Sequence, residues 1–401
     1  MKKILLMAMV FCMAAAVLGG CVYDFTPDSN ELQGMAKPLV VIEGDIIVGG
    51  TTYVELKCTQ PVLNGVGQEE INFAGSSVWV ESGQGEIWQG SYDDYRYVVD
   101  TRDLPLDGEY RLCVSVPDRG EYRSAFKAVT VSPQIDSITY TMAEDRSNVQ
   151  FEVSTHNDLK EKLYCRWSLT EDWESNAELN AELMATYSDG DVVVGELDEE
   201  QQMQMSRCYS HGVSKEIYIG STEKLSQNVI NKERLHVIYS TDRRLSSLYC
   251  LNVSQTAMDK EAYKYWEVTK STISGTGGLF APMPSEVRGN ISSVTYPDEK
   301  VIGYVNVSTE SSVRIFYYSF EFNMFKRSCT ETVYPKEETD SEGNKDKIWL
   351  NLYLNGLRPI RYEYDDKGNP ILNQAYWASE QCADCRVYSN SSRPDYWPEG
   401  R

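Results

Sequence analysis

Histidine is scarce in this chain of 401 residues, and the most recognisable catalytic motifs are missing. The three histidines are His156, His211 and His236. The chain has no His-Glu-x-x-His zinc motif, no Gly-x-Ser-x-Gly nucleophile elbow and no phosphate-binding loop. These absences argue against zincin metallopeptidases, α/β-hydrolases and P-loop NTPases. His236 lies in an apolar run, which favours a structural role for it.

Positive charge is also in short supply, and long apolar runs are absent after the first 20 residues. The chain has 38 Lys and Arg against 60 Asp and Glu, a net charge of −22. Such an acidic surface argues against nucleic acid or an anionic membrane face as a partner. No later stretch is apolar enough to span a bilayer. Acid–base hydrolysis by two carboxylates stays open, although no Asp or Glu pair stands out.

The chain begins with a secretory signal that ends at a cysteine. Lys2 and Lys3 precede an apolar run from Ile4 to Val17, and Leu18-Gly19-Gly20-Cys21 closes it. This order is typical of a signal peptide, and Leu-Gly-Gly-Cys resembles the bacterial lipobox. We expect cleavage after residue 20 and a lipid on Cys21, which would anchor the chain to a bilayer without spanning it. An ordinary signal peptide is the alternative.

Residues 21–37 predict a lipidated tether, since they are polar and carry no strand or helix pattern. Asp24, Asp28 and Glu31 lie close behind the lipid cysteine. They resemble signals that send lipoproteins to the cell surface in some Gram-negative bacteria. Removal of Lys2 and Lys3 with the signal takes the net charge of the remaining chain from −22 to −24.

From residue 38 the pattern is typical of a mainly β fold, all-β to α+β. Short runs rich in Val, Ile and Tyr alternate with Gly- and Asp-rich turns. They predict an immunoglobulin-like β-sandwich over residues 38–133, and Asp107-Gly108-Glu109-Tyr110 resembles a tyrosine corner. Ser132-Pro133 predicts a domain boundary. Residues 134–401 are expected to form a larger β-rich domain with one clear helix.

That helix is predicted to begin at Thr256, which can act as its N-cap, with Asp259 in the first turn. Gly275-Thr-Gly-Gly278 would end it. Residues at helical spacing predict a packing face rather than a cofactor site: Met258, Ala262, Tyr265, Trp266 and Thr269. The apolar run Ile348–Leu354 predicts a strand.

Eight cysteines remain once Cys12 leaves with the signal and Cys21 carries the lipid. An even number in an exported chain allows disulfides. Zinc needs paired spacings, which only Cys382-Ala-Asp-Cys385 has. Redox catalysis by that pair is a weaker alternative, because it lies in a turn-rich tail. Strand alternation points Cys58 inward and Cys113 outward, so we expect no bond between them.

Aromatic side chains are abundant, with 27 Tyr and 8 Trp. Each combines a flat apolar face with a polar group, so exposed ones suit sugar or protein recognition. In an all-β chain, however, most of them are expected to line cores and strand faces.

Nine segments, taken in order, resemble the lipoproteins of Bacteroidetes that carry the domain of unknown function 4249. The similarity covers essentially the whole mature chain, and its closing Cys-x-Asp-Cys-Arg and Pro-Asp-aromatic-Trp pattern is specific. The tail departs from the family in reading Tyr388-Ser-Asn-Ser-Ser where Gly-Gly-Thr-Asn is usual. The segments are Val41–Gly44, Ser132–Ile138, Tyr164–Trp173, Tyr263–Trp266, Gly277–Pro284, Arg288–Ile291, Val301–Tyr304, Cys382–Arg386 and Arg393–Trp397.

The resemblance implies a role but no reaction, since the family has no established activity. Its members are encoded near TonB-dependent outer-membrane transporters, which implies an accessory part in nutrient uptake. It also marks four cysteines at recurring positions as disulfide candidates, with their pairing open: Cys208, Cys329, Cys382 and Cys385. Cys58, Cys113, Cys165 and Cys250 are particular to this chain.

We therefore expect a non-catalytic outer-membrane lipoprotein, exposed at the cell surface or on the periplasmic face. Its partners would be the bilayer, through Cys21, and a TonB-dependent transporter, for which it captures a ligand or onto which it docks. No catalytic residue, metal or cofactor is expected. The alternatives are a carboxylate-based surface hydrolase and a structural or adhesive surface protein.

Overall fold

The computed structural model describes residues 38–59, 73–159, 161–273, 289–324, 328–339 and 345–399. Strand makes up 51 % and helix 13 % of the structure, so the fold is mainly β, as predicted. The predicted signal, Cys21 and the predicted tether lie outside the described residues. Within these ranges no helix is both long and apolar enough to cross a membrane.

The first sandwich takes nine strands from the N-terminal part of the chain. Strands β8, β7 and β4 lie on one side and β5, β6, β3 and β1 on the other, with β5 also pairing β4. These pairings are those of an immunoglobulin-like fold, which confirms the prediction. The strands are β1 (Val40–Glu43), β2 (Ile46–Ile47), β3 (Gly50–Cys58), β4 (Ser77–Ser82), β5 (Ile87–Asp93), β6 (Arg96–Thr101), β7 (Glu109–Val116), β8 (Gly120–Ser124) and β9 (Lys127–Ala128).

Alternation along these strands fills the first core with aliphatic side chains. In β3, Val54 and Leu56 are buried while their neighbours face solvent. The tyrosine corner is present, since the Tyr110 hydroxyl donates to the Pro105 carbonyl at 2.8 Å. Gly108 fits beneath the ring, because a Cβ there would lie 2.4 Å from that hydroxyl oxygen.

The second sandwich follows along the chain. One sheet has the order β10-β11-β17, and the other includes β15, β12 and β18, with β16 also paired to β12. Its core is aromatic, around Phe151, Trp167 and Tyr249. The elements in this part are β10 (Ile135–Met142), β11 (Asn148–His156), β12 (Tyr164–Asn176), β13 (Leu183–Ser188), β14 (Asp191–Glu196), α1 (Glu199–Ser206), β15 (Arg207–Val213), β16 (Tyr218–Ser221), β17 (Val229–Tyr239) and β18 (Leu248–Ala257).

The predicted helix is α2 (Lys260–Ile273), the longest of the described helices. The prediction that Thr256 caps it is wrong, because Thr256 lies in β18 opposite Arg166 of β12. The Asp259 carboxylate instead accepts from the Ala262 amide at 2.8 Å. This satisfies one of the amides that a helix start leaves unpaired. Ala262 and Tyr265 are buried, as the packing face predicted.

The chain then returns to both sandwiches through β19 (Ile291–Ser293), β20 (Val301–Ile302), β21 (Val307–Ser308) and β22 (Glu310–Tyr318). Strand β22 extends the second sandwich beside β18. Strand β19 pairs β8, while β20 and β21 run parallel to β1 and β2. Val305 and Val307 are buried in the first core. The first sandwich therefore takes strands from beyond the boundary predicted after residue 133.

A smaller C-terminal unit packs the β13–β14 hairpin against a sheet of order β23-β27-β26. The run Ile348–Leu354 is a helix, so its prediction as a strand is wrong. The helix packs Trp349 on Trp377, with ring centroids 5.9 Å apart. The elements are α3 (Ser319–Phe322), β23 (Thr332–Pro335), β24 (Glu338–Thr339), β25 (Lys345–Asp346), α4 (Ile348–Leu354), β26 (Leu357–Tyr364), β27 (Pro370–Ser379) and α5 (Glu380–Ala383).

Two disulfides fasten this unit: Cys208–Cys385 and Cys329–Cys382. They use the four cysteines that the family resemblance marks, and they supply the pairing that the sequence left open. Because Cys382 and Cys385 enter different bonds, they form neither a redox pair nor half of a zinc site.

Cys58 and Cys113 remain thiols, as predicted. Strand alternation points Cys113 outward, yet none of its surface is accessible to solvent. It does lie on the face opposite Leu112, but neighbouring side chains cover it, and its Sγ lies 3.4 Å from Glu81 Oε2. Burial raises the pKa of the Cys113 thiol to about 12, so the thiolate is scarce at neutral pH.

Candidate functional site

A cleft of about 460 Å³ lies where the two sandwiches and helix α2 meet. The first sandwich contributes Val41 to Gly44 from β1 and the segment Ile302 to Tyr304. The second contributes Arg166 to Ser168 from β12 and the loop from Ser214 to Ile217. Helix α2 contributes Trp266. The volume lies within the range of small-molecule sites in proteins.

The centre of the cleft is an arginine fixed from two sides. Arg166 Nη2 binds Asp45 Oδ2 at 2.9 Å, and the Asp45 side chain is only 5 % exposed. The Arg166 guanidinium also lies over the Trp266 ring, 4.3 Å from its centroid. A buried carboxylate partner and an aromatic face hold a guanidinium in one orientation. Arg166 is therefore a preorganised donor rather than a mobile surface charge.

Two glycines near Asp45 allow neighbouring strands of the first sandwich, which form one wall of the cleft, to approach closely. Gly44 has φ +152°, and a Cβ there would lie 2.4 Å from the Tyr53 carbonyl oxygen. Gly303 has φ +139°, and a Cβ there would lie 2.0 Å from the Ile42 carbonyl oxygen. Only glycine adopts these conformations at such distances without strain.

The carboxylates along one wall are already paired. Glu43 and Glu55 each bind Lys57 Nζ at 2.7 Å. Burial lowers the pKa of Lys57, but its hydrogen bonds to both glutamates outweigh burial and raise it. The described carboxyls with a raised pKa, Glu233 and Glu310, do not line the cleft. The carboxyls with the raised pKa that the hydrolase hypothesis requires thus lie elsewhere in the described part of the chain.

The most buried charged cluster lies inside the second sandwich, around Glu171. Its carboxylate binds Arg244 Nη1 at 2.9 Å and accepts from the Tyr249 hydroxyl at 2.5 Å. His236 Nε2 lies 3.1 Å from Glu171 Oε1, and His236 Nδ1 lies 3.4 Å from the Tyr218 hydroxyl. Among the hydrogen bonds of the described residues, none joins His236 to a serine, threonine or cysteine. His236 thus lies within a buried network of Glu171, Arg244 and Tyr218.

The other two histidines also pair with acids. His211 Nδ1 lies 2.9 Å from Asp172 Oδ1, and Tyr396 of the C-terminal tail binds the other oxygen of Asp172. This arrangement fastens the tail across the outer face of the second sandwich. His156 Nδ1 lies 2.8 Å from Asp136 on the surface. In the part of the chain that the structure describes, no three His, Cys, Asp or Glu side chains gather as a metal site.

Sequence reasoning from motifs missed Asp45, Arg166 and Trp266. Each is an ordinary residue within its own strand, turn or helix, and they meet only in the folded chain. The family resemblance carried a signal for Arg166 and Trp266, which lie in its segments, but not for Asp45, which follows one. Four of its nine segments border the cleft: Val41–Gly44, Tyr164–Trp173, Tyr263–Trp266 and Val301–Tyr304.

Comparison with protein families bears on this resemblance. The model of the domain of unknown function DUF4249 matches residues 22–314, nearly three quarters of the chain. The chain belongs to the DUF4249 family. The matched region contains the first sandwich, α2, the described lining of the cleft and the second sandwich as far as the middle of β22. Helix α4, the sheet of β23, β26 and β27, and the cysteines Cys329, Cys382 and Cys385 lie beyond it.

Other comparisons add little to this DUF4249 protein. No curated protein matches it. One matching solved structure is a segment of two fibronectin type III domains from chicken tenascin, which is 11 % identical. The match covers 55 % of this chain and 91 % of that chain, with a TM-score of 0.16. A TM-score this low supports no conclusion about fold or function.

Proposed function

We propose that this protein is a lipid-anchored, non-catalytic accessory protein of the outer membrane. It captures a small ligand in the cleft between its sandwiches, for a TonB-dependent transporter onto which it docks. The observation that carries the proposal is the convergence of four family-like segments on the fixed Arg166–Trp266 pair. A structural or adhesive protein would need no such cleft.

The lining of the cleft suggests the kind of ligand. Trp266, Ile217 and Ile302 offer apolar surface, while Arg166 offers oriented N–H donors. Sites of this kind bury the body of a ligand against apolar side chains and orient it with a few polar groups. We expect a small molecule with an apolar or ring-shaped body and an acceptor group for Arg166.

Native mass spectrometry of the lipoprotein, purified from its own membrane in mild detergent, tests ligand capture. We expect a non-covalent adduct of less than about 500 Da, the size of a drug-sized ligand that such a cavity holds. Trp266→Ala should lose the adduct. Tyr239→Ala should keep it, because Tyr239 is an exposed aromatic that does not line the cleft. An adduct unaffected by Trp266→Ala, or no adduct in any preparation, would contradict capture in this cleft.

The anchor is tested separately through Cys21. The unmodified protein should fractionate with membranes, and its N-terminal peptide should carry the mass of a lipid. Cys21→Ala should lose the lipid mass, and chains whose signal is still cleaved should move to the soluble fraction, whereas an uncleaved apolar signal would itself hold the chain in a membrane. Membrane retention of a mature Cys21→Ala protein would argue against lipid anchoring.

A further inference from the structure

Strand β22 is an edge of the second sandwich and leaves three main-chain amides unpaired. It pairs with β18 and with no other described strand. The Ser319 amide donates to the Ser247 carbonyl at 2.7 Å, which fixes the alternation along the ladder. Odd-numbered residues of β22 therefore face β18 and even-numbered ones face away. The outward amides of Ser312, Arg314 and Phe316 have no acceptor among the described residues.

The open stretch of β22 is exposed and long enough to hold a short strand. Ser312 and Arg314 are exposed to solvent. The stretch ends before Tyr318, whose outward amide donates to the Glu321 carboxylate at 2.7 Å. From Ser312 to Phe316 it spans about 13 Å at the rise of a strand. Each outward residue presents one N–H and one C=O group to the same side, and an extended chain matches that spacing.

The other edge strands of the second sandwich carry features that oppose pairing with another chain. The C-terminal tail closes the edge of β15, where the Asn390 side chain donates to the His211 carbonyl at 3.0 Å and accepts from the His211 amide at 2.8 Å. Strands β10 and β17 contain shifts in register, and β16 has only four residues. Strand β22 has nine residues in unbroken register, without proline or lysine. It is therefore the described edge of this sandwich best suited to accept another strand.

The side chains on the outer face of β22 favour one kind of partner strand. Arg314 lies over the Tyr396 ring, 3.6 Å from its centroid, and has no ion pair among the described residues. In a chain with a net charge of −22, such an arginine is available to an acidic residue of another chain. The half-buried Phe316 offers apolar surface on the same face. Glu310, also on that face, would repel a second carboxylate.

We infer that the open edge of β22 binds an extended segment of a partner protein as an added strand. That segment carries one carboxylate residue opposite Arg314 and an apolar side chain opposite Phe316. A second copy of this chain fits less well, because two-fold pairing along the whole of β22 brings two copies of Arg314 together. The inference adds a surface to the docking proposed above and does not rest on the identity of the transporter.

Fluorescence anisotropy with the full-length lipoprotein in detergent tests this inference. The probe is a dye-labelled heptapeptide, Ser-Val-Thr-Glu-Thr-Val-Ser, with a C-terminal amide. We expect saturable binding, and at least tenfold weaker binding of the peptide in which Lys replaces Glu. N-methylation of the second, fourth and sixth residues, whose amides would face β22, should abolish binding. N-methylation of the third and fifth residues, whose amides would face away, should preserve it.

Two pairs of variants assign the binding to this edge. Ser312→Pro removes an outward amide without taking a hydrogen bond from the ladder with β18, and it should abolish binding. Ser312→Ala keeps the amide and should bind normally. Arg314→Glu should reverse the charge preference, so that the Lys peptide binds more tightly than the Glu peptide. Arg314→Lys keeps the charge and should keep the preference for the Glu peptide.

Several results would overturn the inference. They are no saturable binding of the Glu peptide, equal binding of the two N-methylated peptides, or an unchanged preference in Arg314→Glu. Native mass spectrometry should show a monomer, and a dimer that Ser312→Pro dissociates would assign the edge to a second copy instead. The peptide assay needs no lipid on Cys21, no ligand in the cleft and no transporter. Its failure is therefore distinct from a failure of the proposed function.

Discussion

The first and second sandwiches differ in what fills them. The first core is mostly Val, Ile and Leu, with Tyr97, Tyr110 and Tyr122 among its few aromatic residues. The second packs Phe151, Tyr249, Tyr317 and Phe322 against one another and encloses the Glu171–Arg244 pair. Aliphatic packing is non-directional and accepts modest repacking. A buried ion pair is directional, and its loss leaves an uncompensated charge.

The comparison teaches that stability in this chain is organised differently in its two halves. The first sandwich depends on closure by a distant segment, residues 291–308. The second depends on a polar cluster and on the disulfide-bonded unit beside it. Substitutions should therefore affect one sandwich selectively, and the largest effects should arise in the second.

Removing the Glu171 carboxylate should have the largest effect. Glu171→Ala leaves the Tyr249 hydroxyl without its buried partner and leaves Arg244 paired only with Asp242, which together cost about 3–5 kcal/mol. Denaturant unfolding followed by tryptophan fluorescence measures the free energy of unfolding. Val80→Ala in the first core is the comparison, at about 2 kcal/mol. A smaller effect of Glu171→Ala than of Val80→Ala would contradict the contrast between the sandwiches.

The same carboxylate makes stability depend on pH. Burial raises the pKa of Glu171, but the hydrogen bond to His236, the charge of Arg244 and the Tyr249 hydroxyl outweigh burial and hold the pKa below its usual range. A lowered folded-state pKa contributes stability above the unfolded value of about 4.3, and this is lost as pH falls through the folded-state pKa. The free energy of unfolding of the unmodified chain should therefore fall as the pH is lowered into the acid range. That of Glu171→Ala should fall less over the same range.

Removing the disulfides should come next. Replacing both cysteines of Cys208–Cys385 or of Cys329–Cys382 with serine should cost about 2–5 kcal/mol. The first bond spans 177 residues and the second 53, so loop entropy makes the first loss about 1 kcal/mol larger. Hydrogen exchange should accelerate in the C-terminal unit and not in the first sandwich. Faster exchange throughout the first sandwich would refute this separation.

Gly303→Ala tests closure of the first sandwich by the distant segment. A methyl group there meets the Ile42 carbonyl oxygen at 2.0 Å, at a φ that alanine disfavours. We expect a loss of about 2 kcal/mol or more, with faster hydrogen exchange in β1 and β20. Gly368→Ala is a control with a positive φ of +81° and no atom within 4 Å, so it shows the effect of a positive φ without a clash. Equal effects of the two variants would show that close packing at Gly303 does not matter.

The smallest expected effect is at the tyrosine corner. Tyr110→Phe removes the hydroxyl that donates to Pro105 and should cost about 1 kcal/mol. Tyr97→Phe is a useful partner, since the Tyr97 hydroxyl lies near two carbonyls, those of Phe73 and Ser76, at 2.6 and 2.8 Å. The thermal unfolding midpoint of Tyr97→Phe should be equal to or lower than that of Tyr110→Phe. An unchanged midpoint in both variants would mean that hydrogen bonds to water in the unfolded chain are as favourable for these hydroxyls as the bonds to the carbonyls.

Local patterns allowed much of the first sandwich to be predicted. Alternation in β3 and the sequence around Tyr110 each act within a few residues, so the chain displays them directly. The packing of Val305 and Val307 into the first sandwich could not be predicted, because the strand that pairs with Val307 lies about 260 residues earlier in the chain. Parallel pairing of two-residue strands also leaves no local pattern in the sequence. The run Ile348–Leu354 looked like a strand because its apolar residues are dense, while Trp377 and Tyr334 decide its helical packing.

The candidate site was hidden for the same reason. Asp45, Arg166 and Trp266 come from three separate parts of the chain, and their chemistry exists only where these parts meet. The four cysteines at recurring positions were identified through the family resemblance, but their pairing required the fold. Cys113 shows what strand alternation cannot predict. Alternation assigns a side chain to one face of the sheet, but it does not show whether neighbouring side chains bury it there.

The most direct test of the proposed function is purification from the native outer membrane. The full lipoprotein, tagged at its C-terminus, is extracted in mild detergent, and co-purifying proteins are quantified by mass spectrometry. A lipid-anchored accessory protein predicts one TonB-dependent transporter in stoichiometric amount, lost when Cys21→Ala releases the protein from the membrane. Recovery of the lipidated protein without any transporter, under conditions that keep other outer-membrane complexes intact, would contradict the proposal.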